Sequence, residues 1–278
     1  MTSQLRAQGC SDAGFCTLYN LKPIGEDSRS ETRLNSIKSG ASYGKGDHGV
    51  GAWGGYLEFD RVFGHDINVN AKLTFASQSG TATTLTGVSD LFLSVNHQWI
   101  GDANVTVALK IPMNNADKTL NGKSLPMDYQ TSLGTIDLII GAGYKLGEIS
   151  IQAAIQQPRS KNKNTFLASD YPAGSEFTEF QSTNKFVRKG DVLLRVSRGF
   201  SLNDQWRITP GILPIYHLAD DEFTDAGGIG VEIAGSRVLT LNGNVFIEYM
   251  IDPANAVELN FGAPFITRDA RPDGLTRG

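Results

Sequence analysis

The sequence lacks any long hydrophobic run. Its unbroken apolar stretches are only a few residues long, as at residues 138–140, whereas a membrane-spanning helix needs about 18 to 20. A helical membrane protein is therefore excluded. A β-barrel is not excluded, because each of its strands crosses a membrane with about 9 to 11 residues of alternating polarity.

The sequence also lacks a basic excess and the signatures of catalysis. A formal net charge of −4 argues against a nucleic-acid-binding protein, which would carry an excess of lysine and arginine. The four histidines show no metal-ligand spacing, and neither a G-x-S-x-G elbow nor a P-loop occurs. We therefore expect no enzymatic activity, no cofactor and no metal.

Cysteine is scarce, and both cysteines lie near the start of the sequence. Cys10 and Cys16 have five residues between them, which makes a small disulfide loop feasible and suits an oxidising compartment. Two free thiols in a flexible leader are the alternative. The opening MTSQLRAQ lacks the apolar segment of a secretory signal, so we expect a signal cleaved before Gln8 or a start that falls late. The run LRAQGC partly matches a lipoprotein box, which leaves lipidation of Cys10 as another alternative.

Alternating polarity is abundant. In GVSDLFLSVNHQW, residues 87–99, Leu91, Leu93 and Val95 alternate with Ser94 and Asn96, and a period of two residues is typical of a β-strand. The same pattern recurs in about twelve segments, among them GIGVEIAG at residues 228–235, and no segment has a helical period long enough to compete. The sequence therefore predicts an all-β protein.

The connections between these segments differ in length in a regular way. Short turns are predicted at residues 64–66, 101–103, 145–148, 201–204 and 242–243, and long loops at 43–51, 77–86, 114–131, 157–185 and 217–227. Short and long connections alternate along the sequence. The exception is the last hairpin, at residues 252–255, which is short although the alternation predicts a long loop there. Short turns at one end and long loops at the other are typical of an outer-membrane barrel.

Aromatic residues lie where such a barrel would meet the membrane surfaces. Seven of them are at strand ends on the apolar face: Phe63, Trp99, Tyr144, Phe200, Trp206, Tyr216 and Phe265. Aromatic girdles occupy these positions in outer-membrane barrels. The apolar face is therefore predicted to face lipid and the polar face to line the interior, here called the lumen. Pro210 and Pro214 share one strand, where they should weaken the hydrogen-bond ladder.

These observations predict a transmembrane up-and-down antiparallel β-barrel of about twelve strands over residues 33–266. Residues 1–32 are predicted to form a leader that plugs the barrel, and residues 267–278 a C-terminal tail. With an even number of strands, both chain ends would lie in the periplasm. The expected location is the outer membrane of a Gram-negative bacterium, in contact with membrane lipid.

Three segments share a glycine and an aspartate ahead of an alternating strand: GVSDLFLSVNHQW, GTIDLIIGAGYKL and KGDVLLRVSRGF. They resemble the outer-membrane barrels of MetA-pathway phenol-degradation proteins, which look like smaller relatives of the long-chain fatty-acid-transporter barrels. The resemblance covers residues 50–265 and implies a channel or transporter. The sequence GCSDAGFCTL and the end of the chain beyond Phe265 depart from the pattern.

The predicted function is passive uptake of small, partly apolar molecules. The residues expected to line the lumen or the solute path are Phe15, Phe92, Asn96, Asp137, Arg195, Arg207, Glu232, Phe246 and Glu248. Phe15 would reach Phe92 and Phe246 from the leader. The alternative is a non-catalytic accessory barrel in a larger complex, with a protein partner bound by the tail or by loop 157–185, which carries Tyr171, Phe177 and Phe180.

Overall fold

A computed structural model describes residues 35–45, 47–64 and 66–274, without the side chain of Asp47. The predicted plug, with Cys10, Phe15 and Cys16, lies outside the described residues. Eleven strands form the wall: β1 (Asn35–Lys45), β2 (Gly51–Phe63), β3 (Ile67–Ser79), β4 (Thr84–Gln98), β5 (Ala103–Pro112), β8 (Asp137–Leu146), β9 (Ile149–Pro158), β10 (Asp191–Arg198), β12 (Trp206–His217), β15 (Leu239–Asp252) and β16 (Asn255–Ile266).

Shorter elements lie in the connections. These are β6 (Thr119–Leu120), β7 (Lys123–Ser124), β11 (Phe200–Ser201), β13 (Glu222–Thr224) and β14 (Gly230–Glu232), with 3-10 helices at Asp47–Gly49, Met127–Tyr129, Ala168–Asp170 and Glu176–Glu179. Among the described residues, no helix has the length and apolar character needed to span a membrane.

The wall strands form one antiparallel sheet in which each strand pairs with the next along the chain. Its order is β1-β2-β3-β4-β5-β8-β9-β10-β12-β15-β16, with β11 added beside β12. The sheet is curled, and its concave face is the polar one. The predicted all-β, up-and-down antiparallel architecture is confirmed.

The two faces of the sheet are inverted relative to those of a soluble protein. On β4, Leu93 and Val95 are 40% and 47% exposed, whereas Phe92 and Ser94 are each 3% exposed. The alternation continues along the other wall strands, with apolar side chains on the convex face. A sheet with an exposed apolar face is stable in contact with lipid rather than water. The structure therefore confirms the prediction that the apolar face points outwards and the polar face lines the lumen.

Aromatic side chains form a belt at each end of the convex face. The end with the short turns carries Phe63, Trp99, Tyr144, Phe200 and Trp206, and the end with the long loops carries Tyr43, Trp53, Tyr216 and Phe265. All nine are at least 40% exposed. Their placement matches the two aromatic girdles that flank the apolar band of an outer-membrane barrel.

Glycine shapes the short turns. Gly101 and Gly147 have φ angles of 59° and 60°, which residues with a Cβ adopt only at a cost. The turn between β8 and β9 thereby needs only residues 147–148. The turn between β15 and β16, residues 253–254, is equally short without a glycine. Long connections at the other end span residues 113–136, 159–190 and 218–238.

Two predicted elements are wrong, and their correction explains the irregular loop pattern. Asn242 and Gly243 form no turn but lie inside β15, opposite Pro264 and Ala263 of β16, because the ring of Phe265 packs over Gly243. Gly230–Glu232 is no wall strand but pairs with β13 within a long loop. Without that strand, the final hairpin falls at the short-turn end, as the alternation requires, but the predicted long loop at residues 77–86 is a connection of only residues 80–83, because β3 and β4 extend into it.

The removal of one wall strand also changes the position of the tail. With eleven wall strands, β1 starts at the short-turn end and β16 finishes at the long-loop end. Residues 267–274 therefore lie among the long loops, at the opposite end from Asn35. The expectation of an even strand number with both chain ends on one side is thus wrong for the described residues.

The prolines of β12 interrupt its ladder with β10. Leu193 pairs with Ile215 and Val196 with Ile212, so that two pairs are missing between them, those of Pro214 and Leu213. On its other side β12 pairs with β15 without a break, from Trp206 to Tyr216. Proline has no backbone N–H to donate to a neighbouring strand. In β12 the positions that lack this donor therefore face β10, where the ladder is interrupted, and not β15.

Candidate functional site

The lumen face of β1, β2 and β3 carries a hydrogen-bonded charge network. The Asn70 amide donates to Glu58 Oε1 at 2.9 Å and to Asp60 Oδ1 at 2.7 Å. The Lys72 ammonium lies 3.5 Å from Glu58 and the Lys38 ammonium 3.9 Å from Asp60. Register brings these side chains together, because Glu58 pairs with Lys38 on one side and Lys72 on the other.

A second ion pair joins β5 and β8. Lys110 Nζ lies 2.7 Å from Asp137 Oδ2, and both side chains are almost fully buried. Asp137 also accepts hydrogen bonds from Thr135 at 2.7 Å and from Gln156 at 2.6 Å. Each charge on this part of the lumen face is therefore compensated, as burial requires.

An apolar band crosses the lumen face next to these charges. Phe92, Ile139, Leu193 and Leu213 are 0–3% exposed and belong to one contact cluster that extends from β4 to β12. These side chains touch one another rather than water. At this level the interior is filled by side chains, as a barrel of about this size allows.

Charged residues continue towards the short-turn end. The Arg207 guanidinium lies 3.2 Å from Glu148, and Arg207 pairs in register with Glu248. The Arg195 guanidinium lies 5.7 Å from the centre of the Phe246 ring, and both residues are almost completely buried. The arrangement places a cation against an aromatic face within the lumen.

Seven of the nine residues predicted for the lumen or solute path lie on the lumen face, among them Asn96, whose amide donates to Thr106 at 2.8 Å. Glu232 does not. It is exposed in β14 and pairs with Glu222, because the segment around it folds as a loop hairpin. Phe15 lies outside the described residues.

The long loops form a cap with an aromatic centre. Phe166, Phe177 and Phe180 pack with Tyr129 and Val50 in one buried cluster. Phe177 and Phe180 are 7% and 4% exposed. The aromatic residues of loop 157–185 therefore hold the loops to one another, rather than forming the exposed partner surface that the sequence suggested.

One loop reaches the inner wall of the sheet. The Ser132 hydroxyl donates to Asp90 Oδ1 on the lumen face of β4 at 2.6 Å. The Asn114 amide contacts both the Val88 carbonyl oxygen, at 2.9 Å, and Thr131 Oγ1, at 3.0 Å. Residues 113–136 thus narrow the lumen where the long loops begin.

A buried ionic cluster ties the cap to the wall. His217 lies at the end of β12, with its Nδ1 2.6 Å from Asp191 and its Nε2 2.9 Å from Asp221. Arg188 donates to Asp191 at 2.5 Å, and the Lys189 backbone N–H donates to Asp221 at 2.7 Å. All four of these titratable side chains are buried, so each depends on the others for its polar contacts.

The C-terminal tail completes this cluster. Arg268 Nη2 donates to both Asp273 oxygens, at 3.0 and 2.9 Å, and Arg188 Nε lies 3.4 Å from Asp273. Burial alone would raise the pKa of Asp273, but Arg268 and Arg188 outweigh it and hold that pKa well below the usual range. No local pattern predicts this contact, because its partners are remote along the chain.

Titratable side chains do not converge as metal ligands in the part of the chain that the structure describes. No group of three or more His, Cys, Asp or Glu residues could hold a metal ion there.

The architecture is similar to that of a solved channel. The COG4313 outer membrane channel from Pseudomonas putida F1 superimposes with a TM-score of 0.52 at 14% identity, covering 83% of this chain and 93% of that one. At that identity the similarity shows the fold alone, and it confirms the predicted resemblance to outer-membrane channel barrels at that level. Neither a protein-family model nor a curated protein matches the sequence.

A second solved structure gives a weaker match. OmpF from Salmonella typhi, in complex with daunomycin, has a TM-score of 0.28 at 9% identity, covering 83% of this chain and 96% of that one. At that TM-score the match adds nothing to the argument.

Proposed function

We propose that the protein is a passive outer-membrane channel for small, partly apolar molecules and has no catalytic activity. The observation that carries the proposal is the inverted sheet, with an apolar convex face between aromatic belts and a concave face that mixes charged, polar and apolar side chains. The fold shared with an outer-membrane channel supports both the function and a location in the outer membrane of a Gram-negative bacterium.

The lumen face suits solutes of mixed character. The apolar band of Phe92, Ile139, Leu193 and Leu213 lies beside Lys110 and the other compensated charges. A solute with an apolar body and one polar group would find matching contacts along such a face. A strictly ionic solute would lose hydration at the apolar band without compensation.

Liposome swelling and single-channel recording test this proposal. Purified protein should make vesicles permeable to small aromatic alcohols and support ion current in planar bilayers. A protein that stays closed to both, even after deletion of residues 1–32, is not a channel. The deletion separates a plugged barrel from one that does not conduct.

A further inference from the structure

An open groove lies on the convex face of the sheet, at the end that carries the long loops. It has a volume of about 330 Å³ and is lined by Tyr43, Lys45, Gly49, Gly51, Trp53 and Ser79. Lys45, Gly51 and Ser79 form one row across β1, β2 and β3. That row lies two positions nearer the long loops than the paired Tyr43 and Trp53 of the aromatic belt. The groove is therefore at the level where the lipid-facing surface meets water.

Glycine leaves the floor of the groove open. A Cβ on Gly51 would have the Ser79 carbonyl oxygen at 3.8 Å and the Tyr43 hydroxyl at 3.9 Å among its nearest contacts beyond the adjacent residues. Both are ordinary van der Waals distances, so no atom occupies the place that a side chain would take. A Cβ on Gly49 would meet nothing within 4 Å. The row therefore has a gap between Lys45 and Ser79 that a small group can enter.

Polar groups surround this gap. Lys45 is exposed and forms no ion pair with any described residue. The Ser79 and Thr84 hydroxyl oxygens are 2.8 Å apart, so one hydroxyl donates to the other and the second hydrogen is available to a ligand. The Tyr43 hydroxyl, at the margin of the gap, is a further donor. A lysine ammonium with hydroxyl donors beside it suits a phosphate group, which lysine binds as a point charge.

An aromatic pair forms the other side of the groove. The Tyr43 and Trp53 ring centres are 4.8 Å apart with their planes inclined by 48°, and both side chains are more than half exposed. The face of an aromatic ring is its negative side, which attracts the weakly positive C–H groups of a sugar ring. Leu57, 53% exposed, continues the apolar surface towards the middle of the membrane. The groove thus offers contacts for a phosphate, a sugar and an acyl chain, in that order of depth.

The height of the groove points to its ligand. The long loops of outer-membrane barrels are extracellular, so the groove would open at the outer leaflet. That leaflet consists of lipopolysaccharide, whose lipid A carries phosphates on glucosamine rings above its acyl chains. The order of these groups in lipid A is the order of the contacts in the groove.

We infer that the groove binds the lipid A of lipopolysaccharide. One lipid A phosphate pairs with Lys45 and accepts hydrogen bonds from Tyr43 and from the Ser79–Thr84 pair. The phosphorylated glucosamine packs on Trp53. The inference goes beyond the proposed channel function, because the groove faces lipid and takes no part in solute passage.

Native mass spectrometry of the full chain in detergent tests the inference. Delipidated protein is titrated with lipid A, with lipid A whose phosphates have been removed, and with phosphatidylglycerol, which has a phosphate but no sugar. One lysine beside an anionic headgroup contributes about a fivefold gain in affinity. We therefore expect one molecule of lipid A to bind at least about fivefold more tightly than either of the other two lipids.

Two variants locate the effect. Lys45→Met keeps the apolar stem of an exposed side chain and removes its charge, so the fold should be retained and the affinity for lipid A should fall about fivefold. Gly51→Val fills the gap with a residue that strands favour and should weaken lipid A binding by a similar factor. The matched control is Lys161→Met, which removes an exposed lysine from the connection between β9 and β10 and should change nothing. Heat-modifiability on gels shows whether each variant is folded.

The outcomes decide between the groove and other sources of affinity. Equal affinity of the native protein and Lys45→Met for lipid A, or equal losses in Lys45→Met and Lys161→Met, overturns the inference. Undiminished binding of lipid A without phosphates overturns it as well, and displacement of lipid A by excess inorganic phosphate assigns the groove to the free anion instead. A loss of lipid A binding in Lys45→Met with unchanged ion current supports the groove, and a barrel that binds lipid A but never conducts overturns the channel alone.

Discussion

Arg188 and Asp273 lie 85 positions apart in the sequence, yet Arg188 Nε and Asp273 Oδ2 are 3.4 Å apart in a buried site. The contact joins the start of β10 to the C-terminal tail. Arg268 and Asp221 lie in the same cluster, with Arg268 Nη1 3.9 Å from Asp221 Oδ2. The tail is therefore part of the cap rather than an appendage.

Replacement of Asp273 should release the tail. Asp273→Asn leaves Arg188 and Arg268 buried with less negative charge, and breaking a buried ion pair from one side costs about 3–5 kcal/mol. Limited trypsin digestion should then cleave the tail much faster than in the native protein. Asp269→Asn changes an exposed carboxylate of the same tail and should leave the digestion rate as it was.

The tail should respond to acid but not to mild changes of pH. The pKa of Asp273 is lower in the folded protein than the roughly 3.9 of an aspartate in an unfolded chain. The ionised carboxylate therefore stabilises the fold fully at pH values above about 3.9. This stabilisation is lost as the pH falls from there towards the folded pKa. A spin label at Ala270, in a variant with both cysteines changed to Ser, should show constant immobilisation from pH 8 to 5. Release of the label within that range would contradict the assignment, and in Asp273→Asn the acid response should shrink.

The lipid contact of the convex face predicts that one substitution destabilises the barrel at one site and has little effect at another. Leu93→Arg places a charge on the lipid face in the middle of β4 and should destabilise the folded barrel by about 2–4 kcal/mol. Leu202→Arg, in a turn where the side chain is 64% exposed, should cost little. Urea unfolding in lipid vesicles, followed by tryptophan fluorescence, measures both. Similar stability of the two variants would count against lipid contact at Leu93.

The Lys110–Asp137 pair should stabilise the wall. Lys110→Met leaves the fully buried Asp137 without its cation and should lower the free energy of unfolding by about 3 kcal/mol. Adding Asp137→Asn removes the stranded charge and should restore part of that loss. If the double variant proves less stable than Lys110→Met by a further 3 kcal/mol, the two residues act independently.

The cysteines, outside the described residues, give a prediction that comes from sequence alone. We expect Cys10 and Cys16 to be oxidised to a disulfide that orders the leader, contributing about 2 kcal/mol for a loop this short. Changing both to Ser should leave the barrel heat-modifiable on gels but speed proteolysis of the leader or raise conductance. Ready reaction of the native, non-reduced protein with maleimide would contradict this.

Local patterns predicted the strands well because alternation is a property of neighbouring residues. Leu93, Val95 and Ser94 occupy the faces that their polarity indicated. Local patterns failed at Asn242 and Gly243, where a strong turn signal is overridden by pairing with β16 and by the ring of Phe265. A turn signal is a weak preference, and the unbroken ladder with β12, where Asn242 pairs with Leu213, outweighs it.

The parts of the site that sequence could not show depend on register between distant strands. Arg195 and Phe246 become neighbours only once β10, β12 and β15 are aligned. To predict the contact of the tail with the cap, one would likewise need to know that Gly230–Glu232 is not a wall strand. That element changes the number of wall strands, and the number decides at which end of the sheet β16 finishes. Composition and periodicity carry no information about either.

The odd number of wall strands among the described residues has a consequence for how β1 and β16 can meet. β1 and β16 run in the same direction, so a direct seam between them would join Asn35 to the neighbourhood of Asn255 and Lys45 to that of Ile266. That seam would be a parallel ladder, with slanted bonds that are slightly weaker per residue than those of every other pair in the wall. Within a membrane no water is available to hydrogen-bond the backbone groups of an open sheet edge. If the wall strands separated laterally, the separation would begin between β1 and β16.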